Sequence, residues 1–440
     1  VIKNHFQFKD KGDWAKIKAW LQKRSRPDYS VDQQVREILD KVEDKGDAAL
    51  IEYTRKFDSP EFGPEDLKVD DKEIENAVAE VPENDLTIIR EAADRIRAFH
   101  EKQKQKSWYD LAEDGTILGQ IYTPVERAGL YVPGGMGGET PLVSSLLMNA
   151  IPAQVAGVKE IVLVSPPRKD GSLNPYILAT AHILGLNKIY KAGSAWAIAA
   201  LAFGTQSVPA VDVIAGPGNI YVTTAKRLVA GLVGIDMIAG PSEITILADD
   251  SARPDFLAAD LLSQAEHDPL AACILVTPSQ ELIAKVSSAL EEQLPALPRN
   301  EIAASSLKDW GAFILVDDIS KGLEVVNLIA PEHFELCIAE PWSVLGQVKN
   351  AGAIFMGHFC PEPVGDYFAG PNHVLPTMST ARFSSALSVD TFYKKSSVIY
   401  TNQAYIHQHG SKIARLARLE GLEAHARSVE KRFNGEKIKF

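Results

Sequence analysis

The chain is poor in cysteine. Its 440 residues include three, Cys273, Cys337 and Cys360, isolated, odd in number and without a CxxC pair. That pattern argues against a zinc knuckle or a disulfide framework. Cys273 and Cys337 lie in apolar, strand-like runs and read as core residues, so a reducing cytoplasm is the expected setting. Long apolar runs are also missing: nothing approaches the roughly 18 uninterrupted apolar residues of a membrane span. The opening VIKNHFQFKDKGDW lacks the apolar centre of a signal peptide, and export is not expected. Positive charge is in deficit, with a formal net charge of −12 and a pI near 5.4. Nucleic acid and anionic membrane both demand clustered positive charge, so neither is an expected partner. The basic runs KIARLARLE and HARSVEKR are broken by Glu at helical spacing and read as solvated helix faces.

What is present is an ordinary globular composition, 45% hydrophobic and 24% charged, in a chain long enough for two or three domains. The first hundred residues carry a helical period: Val31, Val35, Ile38, Leu39 and Val42 share one face, as do Ile89, Ala93, Ile96 and Phe99. From about Gly129 short apolar strands alternate with helices, the βαβ rhythm of a covered parallel sheet, and the rhythm restarts after AGPSEITILADD. Glycine-rich turns (YVPGGMGG, KAGSAWA, AGPGNIY, AGPSE) fall where strands give way to helices, the place where α/β sheets bind ligands. None is a GxGxxG fingerprint, so a phosphate-binding edge and a set of tight turns both remain open. Beyond Gly357 a Gly/Pro-rich stretch, HFCPEPVGDYFAGPNHVLPT, reads as a long functional loop, followed by a charged amphipathic helical tail.

The polar residues are scattered. LLSQAEHDP puts Gln264 and His267 three apart in what reads as the last turn of a helix, where such residues share a face. Asp366 and His373 lie on the long loop and His425 on the tail. His and carboxylate are ordinary zinc ligands and a Gln oxygen a rarer one, but a His near a helix end also serves as a cap or sits in solvent. His407 and His409 have tempting metal spacing with nothing to support it. In IAPEHFEL, Glu332 and His333 follow Pro331, which marks an element boundary at Ala330. Adjacent acid and base suit stepwise proton transfer; a helix start with a first-turn Glu is the plainer alternative.

The strings AGLYVPGG, GPGNIYVTTAKRLV, GIDMIAGPSE, DLLSQAEHDP, APEHFEL, GDYFAGPNHVLPT, TARFSSALSVD and EGLEAHA, in this order, closely resemble the histidinol dehydrogenases from about residue 30 to the C-terminal region. The resemblance implies oxidation of L-histidinol through L-histidinaldehyde to L-histidine, the last steps of histidine biosynthesis, with two NAD, one water and a bound zinc (Zn2+). Another small alcohol, such as a sulfonated diol, is the close alternative. A metal-assisted hydrolase and a non-catalytic metabolite-binding protein are more distant ones.

On this resemblance Gln264, His267, Asp366 and His425 are the zinc ligands, and Glu332 and His333 the catalytic pair. His333 would take the alcohol proton and Glu332 would activate water. Ser242, His373 and Glu420 match substrate contacts, together with Gln264, His267, Glu332, His333, Asp366 and His425. Tyr131, Trp196 and Asn219 fall on the NAD positions, although Trp196 stands where the family has a Gln. Met378-Ser379-Thr380 departs from the family's frequent Gly-Gly-Thr. A homodimer is implied, its C-terminal segment bringing Glu420 and His425 to the partner's site. The expected fold is α/β, two Rossmann-like parallel-sheet domains with a helical N-terminal segment and a small helical C-terminal tail domain. The expected division is 1–29, a first α/β domain of 30–130 with 244–386 bearing the metal and catalytic residues, a second of 131–243 on the NAD side, and a dimerisation tail of 387–440.

Overall fold

Each α/β rhythm closes into its own parallel sheet. The structure is a computed structural model that describes residues 1–24 and 29–433; the parts of the expected segments at 25–28 and 434–440 lie outside the described residues. The first sheet has six strands in the order Asn4–Phe8, Gly311–Val316, Ala272–Thr277, Glu243–Ala248, His333–Cys337, Ala353–Met356, every pair parallel. EITILA and ACILVT are buried along their whole length because helices cover both faces. Side chains alternate between those faces. Ile244, Ile246, Cys273 and Leu275 pack with helices Pro254–Ala265, Gln280–Gln293 and Asn300–Trp310. Leu247, Ile274, Val276 and Ile314 pack with helices Lys11–Arg24 and Ile319–Ile329.

The second sheet is also all parallel, in the order Lys188–Lys191, Glu160–Ser165, Arg127–Tyr131, Val213–Ala215, Gly234–Ile235. Helices Asp32–Lys45 and Asp47–Phe57 from the N-terminal region share a core with its helices Ser194–Phe203 and Ile220–Val229. The fold is thus α/β with two parallel sheets, as the sequence rhythm implies.

Two expectations are corrected. The chain opens with a strand, Asn4–Phe8, before any helix, because NHFQF alternates over five residues and adds to the edge beside Gly311–Val316. The tail opens with a strand as well. Tyr393–Tyr400 pairs antiparallel with Ile117–Pro124, which pairs in turn with Trp108–Leu111. These strands, with helices Gln403–Leu419 and Glu423–Glu430, belong to a small second unit built from Lys104–Val125 and the described residues from Tyr393 on. The stretch 104–125 therefore groups with the tail, where the sequence division had left it in the first α/β domain. No described helix is long and apolar enough to cross a membrane.

A buried ion pair ties the second sheet's central turn together. The Lys226 ammonium pairs with Asp236, whose side chain is fully buried, and also donates to the Gly216 carbonyl at 2.9 Å. Asp236 accepts from the Gly216 N–H at 2.9 Å. Gly216 has φ 129, and a Cβ there would lie 2.0 Å from the Tyr131 carbonyl oxygen, so the AGPGN turn needs glycine for a close backbone crossing. Lys226→Met would strand the Asp236 carboxylate and is expected to lower unfolding free energy by about 3–5 kcal/mol in urea titrations. Lys226→Met with Asp236→Leu is expected to recover most of that loss.

Candidate active site

Helix Ile319–Ile329 stops at Ala330, whose φ of 52 is left-handed, and after Pro331 the chain enters the strand His333–Cys337. Glu332 and His333 therefore open a central strand, not a helix, at the amino end of the first sheet. Both are buried, 5% and 4% exposed. Both hold the backbone of the same residue, Glu243. The Glu243 N–H donates to Glu332 Oε2 at 2.9 Å, and the Glu243 carbonyl lies 3.1 Å from His333 Nδ1. A carbonyl can only accept, so Nδ1 carries the proton and Nε2 of the neutral ring presents its lone pair.

Nε2 is buried without a hydrogen-bond partner. It lies 3.7 Å from Glu362 Oε1 and 3.9 Å from Asp366 Oδ1. Burial, then the neighbouring His267 and His373, push the His333 pKa down to about 3, which keeps the ring neutral. Burial, then Asp366 and Glu362, push the Glu332 carboxyl well above the usual range, with Arg24 and the Ser242 hydroxyl pulling the other way.

The loop expected beyond Gly357 contains a short helix, Glu362–Tyr367. It sets Glu362 and Asp366 four residues apart on one face. Glu362 escaped the sequence reading. Its signal was Pro363 in the first turn of a short helix, with an acid one turn before Asp366. Its backbone N–H is fixed by Glu335 Oε1 at 2.8 Å, its Oε1 is buried without a partner, and burial, then Asp366, raises its pKa to about 8. Donor atoms of His267, Glu362 and Asp366 lie within 4.8 Å of one another. Gln264, 1% exposed, has neither amide atom partnered. His267 sits just past the end of helix Pro254–Ala265, its N–H bonded to the Gln264 carbonyl at 3.2 Å, so the two share a turn and not the helix proper. An imidazole, an uncommitted amide and crowded carboxyls fit a divalent cation taking N and O donors.

The remaining expected residues fall in different places. Ser242 precedes Glu243 and hydrogen-bonds Glu332. His373 has a buried Nε2 without a partner, and burial lowers its pKa to about 4. Glu420 caps helix Gln403–Leu419 and His425 lies in helix Glu423–Glu430; both are exposed residues of the second unit. At the carboxyl ends of the second sheet, the Tyr131 hydroxyl accepts from the Ser194 N–H at 3.2 Å. Asn219 caps helix Ile220–Val229 through the N–H groups of Tyr221 and Val222. Trp196 is 4% exposed and stacks on Tyr53 and Phe57, with ring centroids 5.6 and 5.5 Å away. The indole at this Gln position serves packing. Met378 and Ser379 have φ of 51 and 64, the left-handed region that favours the glycines common there in the resembling family. Ser379 is kept in place by its hydroxyl, which donates to the Ile329 carbonyl at 2.6 Å.

Two parallel sheets, with Glu332 and His333 buried beside N and O donors, define an α/β protein with a buried polar site. The chain belongs to the histidinol dehydrogenase family, a family of oxidoreductases. The family model described as histidinol dehydrogenase matches residues 21–433. Histidinol dehydrogenase of Oleidesulfovibrio alaskensis is 60% identical over 427 residues, 97% of this chain and 98% of that one. That of Geobacillus kaustophilus is 55% identical over 95% of this chain and 98% of its own. The crystal structure of histidinol dehydrogenase from Elizabethkingia anophelis superposes with a TM-score of 0.91 at 37% identity, covering 98% of each chain. The readings as an oxidoreductase of another alcohol, a hydrolase or a binding protein gain no support from these relatives.

Near Tyr131, burial raises the Asp58 carboxyl from 3.8 to about 7, and its Oδ2 has no partner. A folded-state pKa above the unfolded one favours folding below about pH 4, a contribution lost as pH rises through about 7. Asp58→Asn is therefore expected to gain more stability over the parent at pH 8 than at pH 5, read from urea midpoints at the two pH values.

Proposed function

We propose that this chain is a zinc- and NAD-dependent histidinol dehydrogenase that carries L-histidinol through the aldehyde to L-histidine. The observation that carries the reading is the neutral His333, its Nδ1–H directed at the Glu243 carbonyl and its Nε2 left open beside Glu362, Asp366 and His267. Bound NAD would supply the hydride acceptor for each of the two oxidations. Bound zinc would supply a positive charge that orients an imidazole- and amine-bearing alcohol.

The chain's own residues do the rest. Gln264, His267 and Asp366 would hold the metal, together with His425 of the partner subunit. His333 Nε2 takes the hydroxyl proton as the carbinol loses hydride. For the second oxidation Glu332 takes a proton from water as the water oxygen bonds to the aldehyde carbon, and the protonated His333 returns its proton to the carbonyl oxygen, which leaves a hydrate and a neutral imidazole. Burial makes this carboxylate a stronger base than one in solvent. The resulting hydrate gives up a proton to His333 and a second hydride, leaving the carboxylic acid. Ser242, His373 and the partner subunit's Glu420 flank the substrate, and Tyr131 and Asn219 lie on the NAD side.

The small unit exposes Trp108, Leu111, Ile399, Leu416 and Leu419, apolar surface that supports a homodimer with shared sites. The three free cysteines accord with a cytoplasmic setting.

Purified protein given L-histidinol and NAD is expected to form two NADH per histidinol, to lose this activity on chelation and to regain it with zinc. A zinc-loaded, folded sample that forms no NADH would overturn the reading. His333→Asn is expected to lower kcat by roughly 10²–10⁴-fold with zinc content unchanged; undiminished turnover would remove His333 from the reaction.

A further inference from the structure

Arg24, the last residue of helix Lys11–Arg24, is 8% exposed although Lys16, Lys18 and Lys23 of the same helix are exposed. It turns inward. One guanidinium nitrogen faces the carbonyls of Pro241, Ser242 and Leu270 at 3.3, 3.2 and 3.2 Å. The other pairs with the buried Glu243 carboxylate. Glu243 is the residue whose N–H holds Glu332 and whose carbonyl holds His333. From the other side the Ser379 N–H approaches Glu243 Oε1 at 3.5 Å and the Gly240 N–H bonds Thr377 Oγ1 at 2.6 Å. The Pro241–Glu243 segment is thus clamped, with Arg24 reaching all three of its residues.

We infer that Arg24 is a positioning residue for the Glu332–His333 pair, acting through the Glu243 backbone; this rests on the proton-transfer roles proposed above. A shift of that residue's backbone would displace acid and base together, and misplacement of reacting groups by about 1 Å is worth on the order of 10²-fold in rate. Arg24 touches no atom that reacts, so its loss should fall on kcat.

The test is a double-mutant cycle in the zinc-loaded enzyme, using Arg24→Met, His333→Asn and the two combined. Arg24→Met is expected to lower kcat about 10- to 100-fold with KM for histidinol and NAD changed less than threefold, and Arg24→Lys to recover part of the loss. In the His333→Asn background Arg24→Met is expected to cost less than threefold, since both changes disable one device. Because Arg24→Met strands a buried carboxylate, Arg24→Met with Glu243→Met is the second probe; removing both charges keeps stability near the parent's, and the kcat loss is expected to persist.

If His333→Asn lowers kcat while the folded Arg24 variants stay within twofold of the parent, the positioning role is overturned and the proton-transfer reading stands. An equal Arg24→Met effect in both backgrounds overturns action through His333. If His333→Asn keeps full turnover, the proton-transfer reading fails, and the positioning role with it.

Discussion

The backbone of one residue organises the proposed chemistry of this protein. The N–H and C=O of Glu243 point to a carboxylate and an imidazole that are neighbours in sequence, and each hydrogen bond fixes what its partner can do. Without the carbonyl, His333 could carry its proton on either nitrogen. With it, the lone pair faces the donor cluster. Because both contacts come from the first residue of a fully buried parallel strand, their geometry inherits the rigidity of the sheet, and a loop could not offer the same precision.

Around that residue the molecule gathers buried acids. Burial raises the pKa values of Glu332, Glu335, Glu362, Asp366 and Asp260, because a charged carboxylate is poorly solvated there. A divalent cation would relieve this crowding, and the unpaired amide of Gln264 and the imidazole of His267 lie alongside as donors. The crowding supports the metal reading on grounds separate from family likeness.

Much of this was legible in the sequence. The two runs of alternating strands and helices reported both sheets, and Pro331 reported the boundary at Ala330. Gln264 and His267 were visible because three-residue spacing near a helix end is a local signal. What stayed hidden depended on distance or on disguise. Glu362 sat in a proline- and glycine-rich stretch whose composition reads as loop, yet six of its residues wind into a helix. Arg24 looked like a cation placed to favour the end of its own helix dipole, and nothing local reveals that it turns inward to Glu243. Trp196 could be read as touching a cofactor or as packing, and Tyr53 and Phe57, one helical turn apart on a distant helix, decide for packing. The antiparallel sheet was missed because Trp108–Leu111 is only four residues long and the third strand, Tyr393–Tyr400, finds its partner across most of the chain.

That last feature bears on how the molecule is made. Trp108–Leu111 and Ile117–Pro124 leave the ribosome early, but Tyr393–Tyr400 comes near the end, and Asn4–Phe8 likewise waits for Gly311–Val316. During synthesis each early segment holds open strand edges with no partner yet in existence. Such edges invite pairing with other chains, and closure across so much sequence is slow. The second sheet, whose five strands lie between residues 127 and 235, can close on itself while translation continues. A nascent chain would therefore consist of one finished sheet flanked by unfinished edges until its final residues emerge.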